Sequence, residues 1–252
     1  MNSRLAVVAT VLMGCCGAAA ADTWMRDDEI GERAVRGVVD QTVALGATGR
    51  VEVSGIGGSV RVAVGEGDTV QLHYERAAAS QQDYDCESLR YEPGPGLLTI
   101  RMERIRSRAC RQIHARDSLT LTVPRGASLS LESIGDSVTV GAVEGMVRLS
   151  SIGDSATLDG VQQLRASSIG DSLRLKTGRI GSGGIEVDSV GDTVELQLPP
   201  GLGARLQIDS VGGTVRGHDL RLDALDGSFD TVLGAGGPKI RISSVGDDVI
   251  IR

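Results

Sequence analysis

The hexapeptide SSIGDS occurs twice within residues 150–175, 17 residues apart. A catalytic centre needs its residues once, whereas a unit stacked on itself needs them each time the chain comes round. Near copies keep a similar spacing: SIGDS at 133–137, 151–155 and 168–172, SVGDT at 189–193, SVGGT at 210–214 and SVGDD at 244–248. A relative, SGIGGS, lies at 54–59. The central glycines Gly135, Gly153, Gly170, Gly191 and Gly212 are separated by 18, 17, 21 and 21 residues; Gly246 follows after 34, with a degenerate GSFDT at 227–231 between. Self-similarity at this period is the signature of a solenoid.

Each copy is bracketed by alternating residues. Leu129 and Leu131 precede the first and Val138 and Val140 follow it; Val147 and Leu149, then Ala156 and Leu158, do the same around the second. Period-two alternation over runs this short predicts strand, turn, strand. The turn is assigned to Gly135–Asp136, Gly153–Asp154, Gly170–Asp171, Gly191–Asp192 and Gly246–Asp247, because glycine reaches positive φ at little cost and aspartate bonds to nearby backbone. Two short strands cannot bury an apolar face alone, so equivalent strands of successive units should pair about 4.8 Å apart. The expected fold is all-β: a single-domain, β-helix-like β-solenoid of 17–21-residue repeats over 47–252, regular over 128–252. Aromatic residues are only 2% of the chain, so Val, Ile, Leu and Ala must fill the core, which suits a thin and regular one.

The first half is less regular. Residues 1–21 have the pattern of a cleaved secretory signal: Arg4, an apolar run from Leu5 to Met13, and alanines before Asp22. Lipid attachment at Cys15 is the alternative. The apolar run is shorter than the roughly 20 residues of a membrane span. Cleavage removes one positive charge, Arg4, and takes the net charge from −7 to −8, which argues against nucleic acid as a partner. Residues 22–46 read as a lead-in with a short helix around Glu29–Val39. Residues 49–75 read as three strands joined by glycine turns, and 87–103 as a hairpin insertion about Pro93-Gly94-Pro95-Gly96.

Cys86 and Cys110 flank that hairpin. In an exported chain the pair reads as a disulfide rather than a metal site, tying the hairpin's base. Arg101, Arg104, Arg106, Arg108, Arg111 and Arg116 concentrate positive charge at its end. They form a solvated face or a candidate patch for an anionic partner, such as a lipid headgroup or acidic polysaccharide.

The stretch GRVEVSGIGGSVRVAVGEGDTVQLH followed by the SIGDS series resembles a bacterial family of "putative adhesins" with a toastrack-type β-solenoid domain of unknown function. The resemblance covers residues 45–252 and rests on the repeat style V-x-V-x-x-I-x-G-x-V-x-V. It implies a noncatalytic role in the cell envelope, binding or scaffolding, with no ligand residues to carry over. The region between Cys86 and Cys110 departs from the plain repeat.

Three functions follow as expectations. The leading one is a noncatalytic, adhesin-like protein, exported to the periplasm or cell surface, that binds an envelope polysaccharide, a lipid headgroup or a protein. Because the segment DDVIIR at 247–252 carries no polar capping unit, self-association through a free solenoid end is also expected. A second possibility is an envelope-stress regulatory partner. The third is a carbohydrate-active β-helix enzyme, for which the sequence offers little. Trp24 is the only tryptophan, His73, His114 and His218 share no motif, and no metalloprotease, nucleophile-elbow or phosphate-loop pattern appears. No cofactor or metal is expected. The repeated aspartates could instead form a cation-binding ladder, since stacked carboxylates repel, but the calcium-solenoid nonapeptide is missing.

Overall fold

A computed structural model describes residues 34–217 and 220–252. Residues 1–33, with Cys15 and Trp24, and His218 lie outside them, so the expectations attached to those residues have no structural counterpart here.

The chain runs through β1 (Val35–Ala44), β2 (Arg50–Ser54), β3 (Ser59–Gly65) and β4 (Thr69–Ala78), the short helix α1 (Gln81–Asp85), then β5 (Glu87–Gly94), β6 (Leu97–Arg104) and β7 (Ala115–Pro124). The regular coils follow in pairs: β8 (Ser128–Ile134) with β9 (Val138–Val140), β10 (Val147–Ile152) with β11 (Ala156–Asp159), β12 (Leu164–Ile169) with β13 (Leu173–Lys176), and β14 (Ile185–Val190) with β15 (Val194–Gln197). Two long strands, β16 (Ala204–Gly217) and β17 (Leu220–Leu233), and the pair β18 (Lys239–Val245) and β19 (Val249–Ile251) complete it. The 19 strands belong to one hydrogen-bonded sheet.

The sheet folds into two faces. On one, parallel pairing runs β6–β2–β8–β10–β12–β14–β18–β16. On the other it runs β7–β3–β9–β11–β13–β15–β19–β16. Registers hold equivalent residues opposite each other, so Leu131, Leu149, Ala166, Val187 and Ile242 form one inward row. Every member of that row is buried. Each Val, Leu or Ile side chain so buried contributes roughly 1.5–3 kcal/mol, which is how a chain with few aromatics builds a core.

Stack order is not chain order. Coil β2–β3 sits between β6–β7 and β8–β9. Coil β18–β19 slots between β14–β15 and β16, so the 34-residue gap before Gly246 marks a detour rather than a decayed repeat. This corrects the expectation of a free edge at 247–252: β18 and β19 are paired on both sides. The antiparallel β16–β17 hairpin closes that end instead, with the outer strand β17 paired to β16. At the opposite end antiparallel strands also take over, β5 on β6 and β1 on β4.

The helix expected over Glu29–Val39 is corrected for its described part. Val35 to Ala44 form a strand in which half-buried positions alternate with exposed ones. Val39 and Val43 pack against the core, while the hydroxyl end of Tyr84 of α1 lies over Gly37, leaving no room for a Cβ there. Period-two burial of β-branched residues favours the strand over a helix.

The corners also correct the turn chemistry. Positive φ falls on the serine before the buried Ile or Val, at Ser133, Ser151, Ser168, Ser189, Ser210 and Ser244, with φ between 49 and 55°. None of the central glycines has positive φ. Glycine is required there for a different reason. A Cβ on Gly153 would lie 2.3 Å from the carbonyl oxygen of Gly135, and one on Gly170 would lie 2.2 Å from that of Gly153. The corner backbones of adjacent coils touch, and only hydrogen fits between them.

Candidate functional surface

The hairpin insertion is positioned by β4 and β7. Both strands put aliphatic residues inward at every second position, yet each places one charge in that register, Arg76 and Asp117, directly across from one another. Both are buried, Arg76 at 3% exposure. Arg76 Nη1 donates to Asp117 Oδ1 at 2.9 Å and the Tyr74 hydroxyl donates to the same oxygen at 2.7 Å. Arg76 Nη2 reaches out of the stack to Glu87 Oε2 at 3.0 Å and to the Asp83 carbonyl at 3.2 Å. One guanidinium thus joins the solenoid body to α1 and to the start of β5. Burial first, then the Asp117 charge, raises the Tyr74 pKa. Burial raises that of Asp117 against the opposing pull of Tyr74 and Arg76. Arg76 keeps its charge.

Beside this network Cys86 and Cys110 form a disulfide with Cα atoms 5.4 Å apart. The hairpin is β5–β6, turning at Gly94–Leu97. In a regular coil a three-residue corner would follow, but between β6 and β7 the corner is replaced by residues 105–114, which include a 3₁₀ turn at Arg108–Cys110. That loop is pinned at several points. Ile105 N–H donates to the Cys86 carbonyl at 2.8 Å, and Arg104 donates to the Cys110 carbonyl at 2.6 Å and to that of Arg111 at 3.0 Å. The Gln82 side-chain amide reaches Ala109 O at 3.0 Å.

The six arginines grouped by sequence separate here. Arg101 is held by Glu92 at 2.9 Å and Glu103 at 3.2 Å. Arg104 is spent on the loop's carbonyls, and Arg116, half-buried, is already engaged. Arg106, Arg108 and Arg111 are exposed and make no ion pair among the described residues. Ile105, next to Arg106, is 56% exposed.

The repeated aspartates take a different place. Backbone N–H groups of Asp171, Asp192 and Asp247 each donate to the carbonyl of the aspartate one coil away, at 3.1–3.2 Å, which lines up four carboxylates along the corner, with Asp136 beside Asp154 at one end. Partial burial first, then Asp136 and Asp171, raises the pKa of Asp154. Among the described residues no group of three His, Cys, Asp or Glu side chains is placed to hold a metal ion. His73 is exposed on β4, its Nδ1 2.6 Å from Asp40 Oδ1, and this hydrogen bond raises its pKa. His114 is exposed at the loop's base. At the far end of the stack the solenoid's interior opens as an apolar hollow of about 440 Å³ between Leu202, Leu206, Phe229 and Leu233. Among the described residues no helix is long and apolar enough to cross a membrane.

Sequence reasoning missed the Arg76 network. The available signal was two opposite charges in the inward register of Val70-Leu72-Tyr74-Arg76 and Asp117-Leu119-Leu121-Val123.

No family model and no curated protein matches the chain. Among solved structures it is similar to one described as a putative cell adhesion protein from Clostridium sporogenes. That match has a TM-score of 0.49 and 8% identity, over 87% of this chain and 99% of the other. A putative adhesin from Bacteroides fragilis has a TM-score of 0.38 at 9% identity, over 85% of this chain and 97% of that one. A putative lipid binding protein from Parabacteroides distasonis has a TM-score of 0.24 at 10% identity, over 84% and 96%. These are likenesses of outline only, at identities where no residue can be carried across.

Proposed function

We propose that this is a noncatalytic, exported, adhesin-like β-solenoid that binds or scaffolds a partner of the cell envelope or surface. The observation that carries this reading is the contrast at its end. A repetitive stack of paired strands holds a disulfide-tied insertion that displays Arg106, Arg108 and Arg111 without ion-pair partners among the described residues. Stacked coils give a rigid spacer; a pinned basic loop gives a contact. The partner classes it fits are an acidic polysaccharide, a lipid surface or an acidic protein.

Cosedimentation of the exported protein with envelope fragments at low and high salt tests the reading. Binding that weakens with salt supports the loop as the contact, because exposed charges are screened within about 8 Å at physiological ionic strength. Salt-resistant binding moves the contact to the strand faces. Absence of binding at both salts removes the envelope-binding role.

A further inference from the structure

We propose that the loop Ile105–Arg111 docks the protein on an anionic lipid bilayer, with Arg106, Arg108 and Arg111 meeting headgroup phosphates and Ile105 entering the interfacial layer. This rests on the envelope-binding reading and names its partner.

Charge distribution points there first. The chain has 33 acidic and 26 basic residues, yet between Glu103 and Asp117 it places five arginines and no acid. Some exposed arginines find carboxylates: Arg90 lies 3.1 Å from Glu103, Arg165 3.1 Å from Glu186 and Arg174 2.8 Å from Glu195. Arg61, Arg125, Arg148 and Arg205 make no ion pair among the described residues, but they are spread over β3, the turn after β7, β10 and β16, whereas the loop gathers its three within residues 106–111. Three unneutralised cations on one loop of an acidic protein leave a local positive field for an external anion.

Ile105 narrows the choice of anion. Among the described residues the exposed large hydrophobics are Val38, Ile105 and Val232; the first and last lie in the outermost strands β1 and β17, while Ile105 stands on a loop between two arginines. Its backbone is held on both sides, its N–H on the Cys86 carbonyl and its carbonyl accepting from Ser107 N–H at 3.0 Å. A branched aliphatic side chain held outward beside cations gains nothing from a hydrated acidic polysaccharide. At a bilayer it leaves water while the guanidiniums stay at the phosphates, the combination that surface-bound segments use. Each basic residue near an anionic leaflet contributes on the order of a fivefold gain in affinity. The apolar contact is insensitive to salt, so the two contributions can be read separately.

The full-length exported protein should be sedimented with vesicles of phosphatidylglycerol and phosphatidylcholine, with pure phosphatidylcholine vesicles, and with alginate as a soluble polyanion. The wild-type protein is expected to bind the anionic vesicles and to favour them strongly over the other two. Substituting Arg106, Arg108 and Arg111 together by Gln should lower affinity about a hundredfold. Ile105→Asn should abolish the residual binding left at about 0.5 M salt. Circular dichroism and an intact disulfide serve as folding controls. Three results overturn the proposal: no binding to anionic vesicles, binding that neither variant changes, or equal capture by alginate with no effect of Ile105→Asn. If envelope fragments bind while vesicles do not, the lipid surface is wrong and the envelope role stands; if neither binds, both fall.

Discussion

Order in the regular coils and order in the disulfide-tied insertion come from opposite sources. Between residues 128 and 197 it is collective: each inward aliphatic side chain is covered by its equivalents one coil above and one below. Between 79 and 116 it is singular, resting on one guanidinium, one disulfide and a handful of carbonyl contacts. The difference teaches where specificity can live. A ladder shows the same chemistry at every rung, so no rung is unique; a segment fixed by unrepeated contacts can present a surface found nowhere else on the molecule.

The sharpest way to break the collective half is Gly170→Val. Its Cβ would fall 2.2 Å from a backbone oxygen that cannot move without its whole coil, and the loss should exceed about 3 kcal/mol. Gly178→Ala, with open space around it, should stay within about 0.5 kcal/mol. Denaturant midpoints for the pair decide the matter, and similar midpoints would mean that the coils are not packed backbone to backbone.

Arg76→Met tests the singular half. It leaves Asp117 buried without its cation and Glu87 with only Arg104, 3.9 Å away, and should cost about 3 kcal/mol. Hydrogen exchange should quicken first in residues 81–114, with the coils from 128 to 197 unchanged. Uniform loss of protection would show that the insertion and the stack are one cooperative unit.

Smaller effects sharpen the corner. Ser168 has a φ of 55°, where a β-branched residue is strained. Ser168→Val should cost about 1–2 kcal/mol while Ser168→Gly stays near neutral, as thermal melts would show. The smallest effect is expected at Asp154. Its folded pKa lies above the unfolded value, so the folded chain binds the proton more readily, and stability falls as pH rises through the folded pKa. The penalty is complete at neutral pH. Asp154→Asn should therefore raise Tm by about 1–2 °C at pH 7 and not below about pH 3, under the ordinary aspartate pKa. An equal gain at both pH values would remove carboxylate crowding as the cause.

Most of the solenoid could be read from the chain because every coil restates the same instruction. Alternation of Leu129-Leu131, Val147-Leu149 and their successors says which residues face inward, and the structure places them there. What alternation cannot say is which coil lies next to which. All coils carry the same pattern, so nothing local distinguishes a neighbour at 210–214 from one at 244–248. The serine conformation was hidden for another reason: serine has no marked preference for positive φ, and glycine one or two residues away is the usual carrier. Arg76 and Asp117 were visible as charges in an inward register, but only once the strand limits were known. Of the six arginines, the sequence could not separate the three that are engaged from the three displayed on the loop.

The placement of β18 and β19 between β14–β15 and β16 has a consequence in time. A solenoid built in chain order can add coils as they leave the ribosome or cross a membrane, each new coil resting on the last. Here the coil at 185–197 has no partner on one side until residues 239–251 arrive, and the 204–233 hairpin that lies beyond them must wait its turn although it is made earlier. A stack grown in chain order would therefore stand at an open strand edge until residues 239–251 arrive, and the 204–233 hairpin could join it only with them or after them.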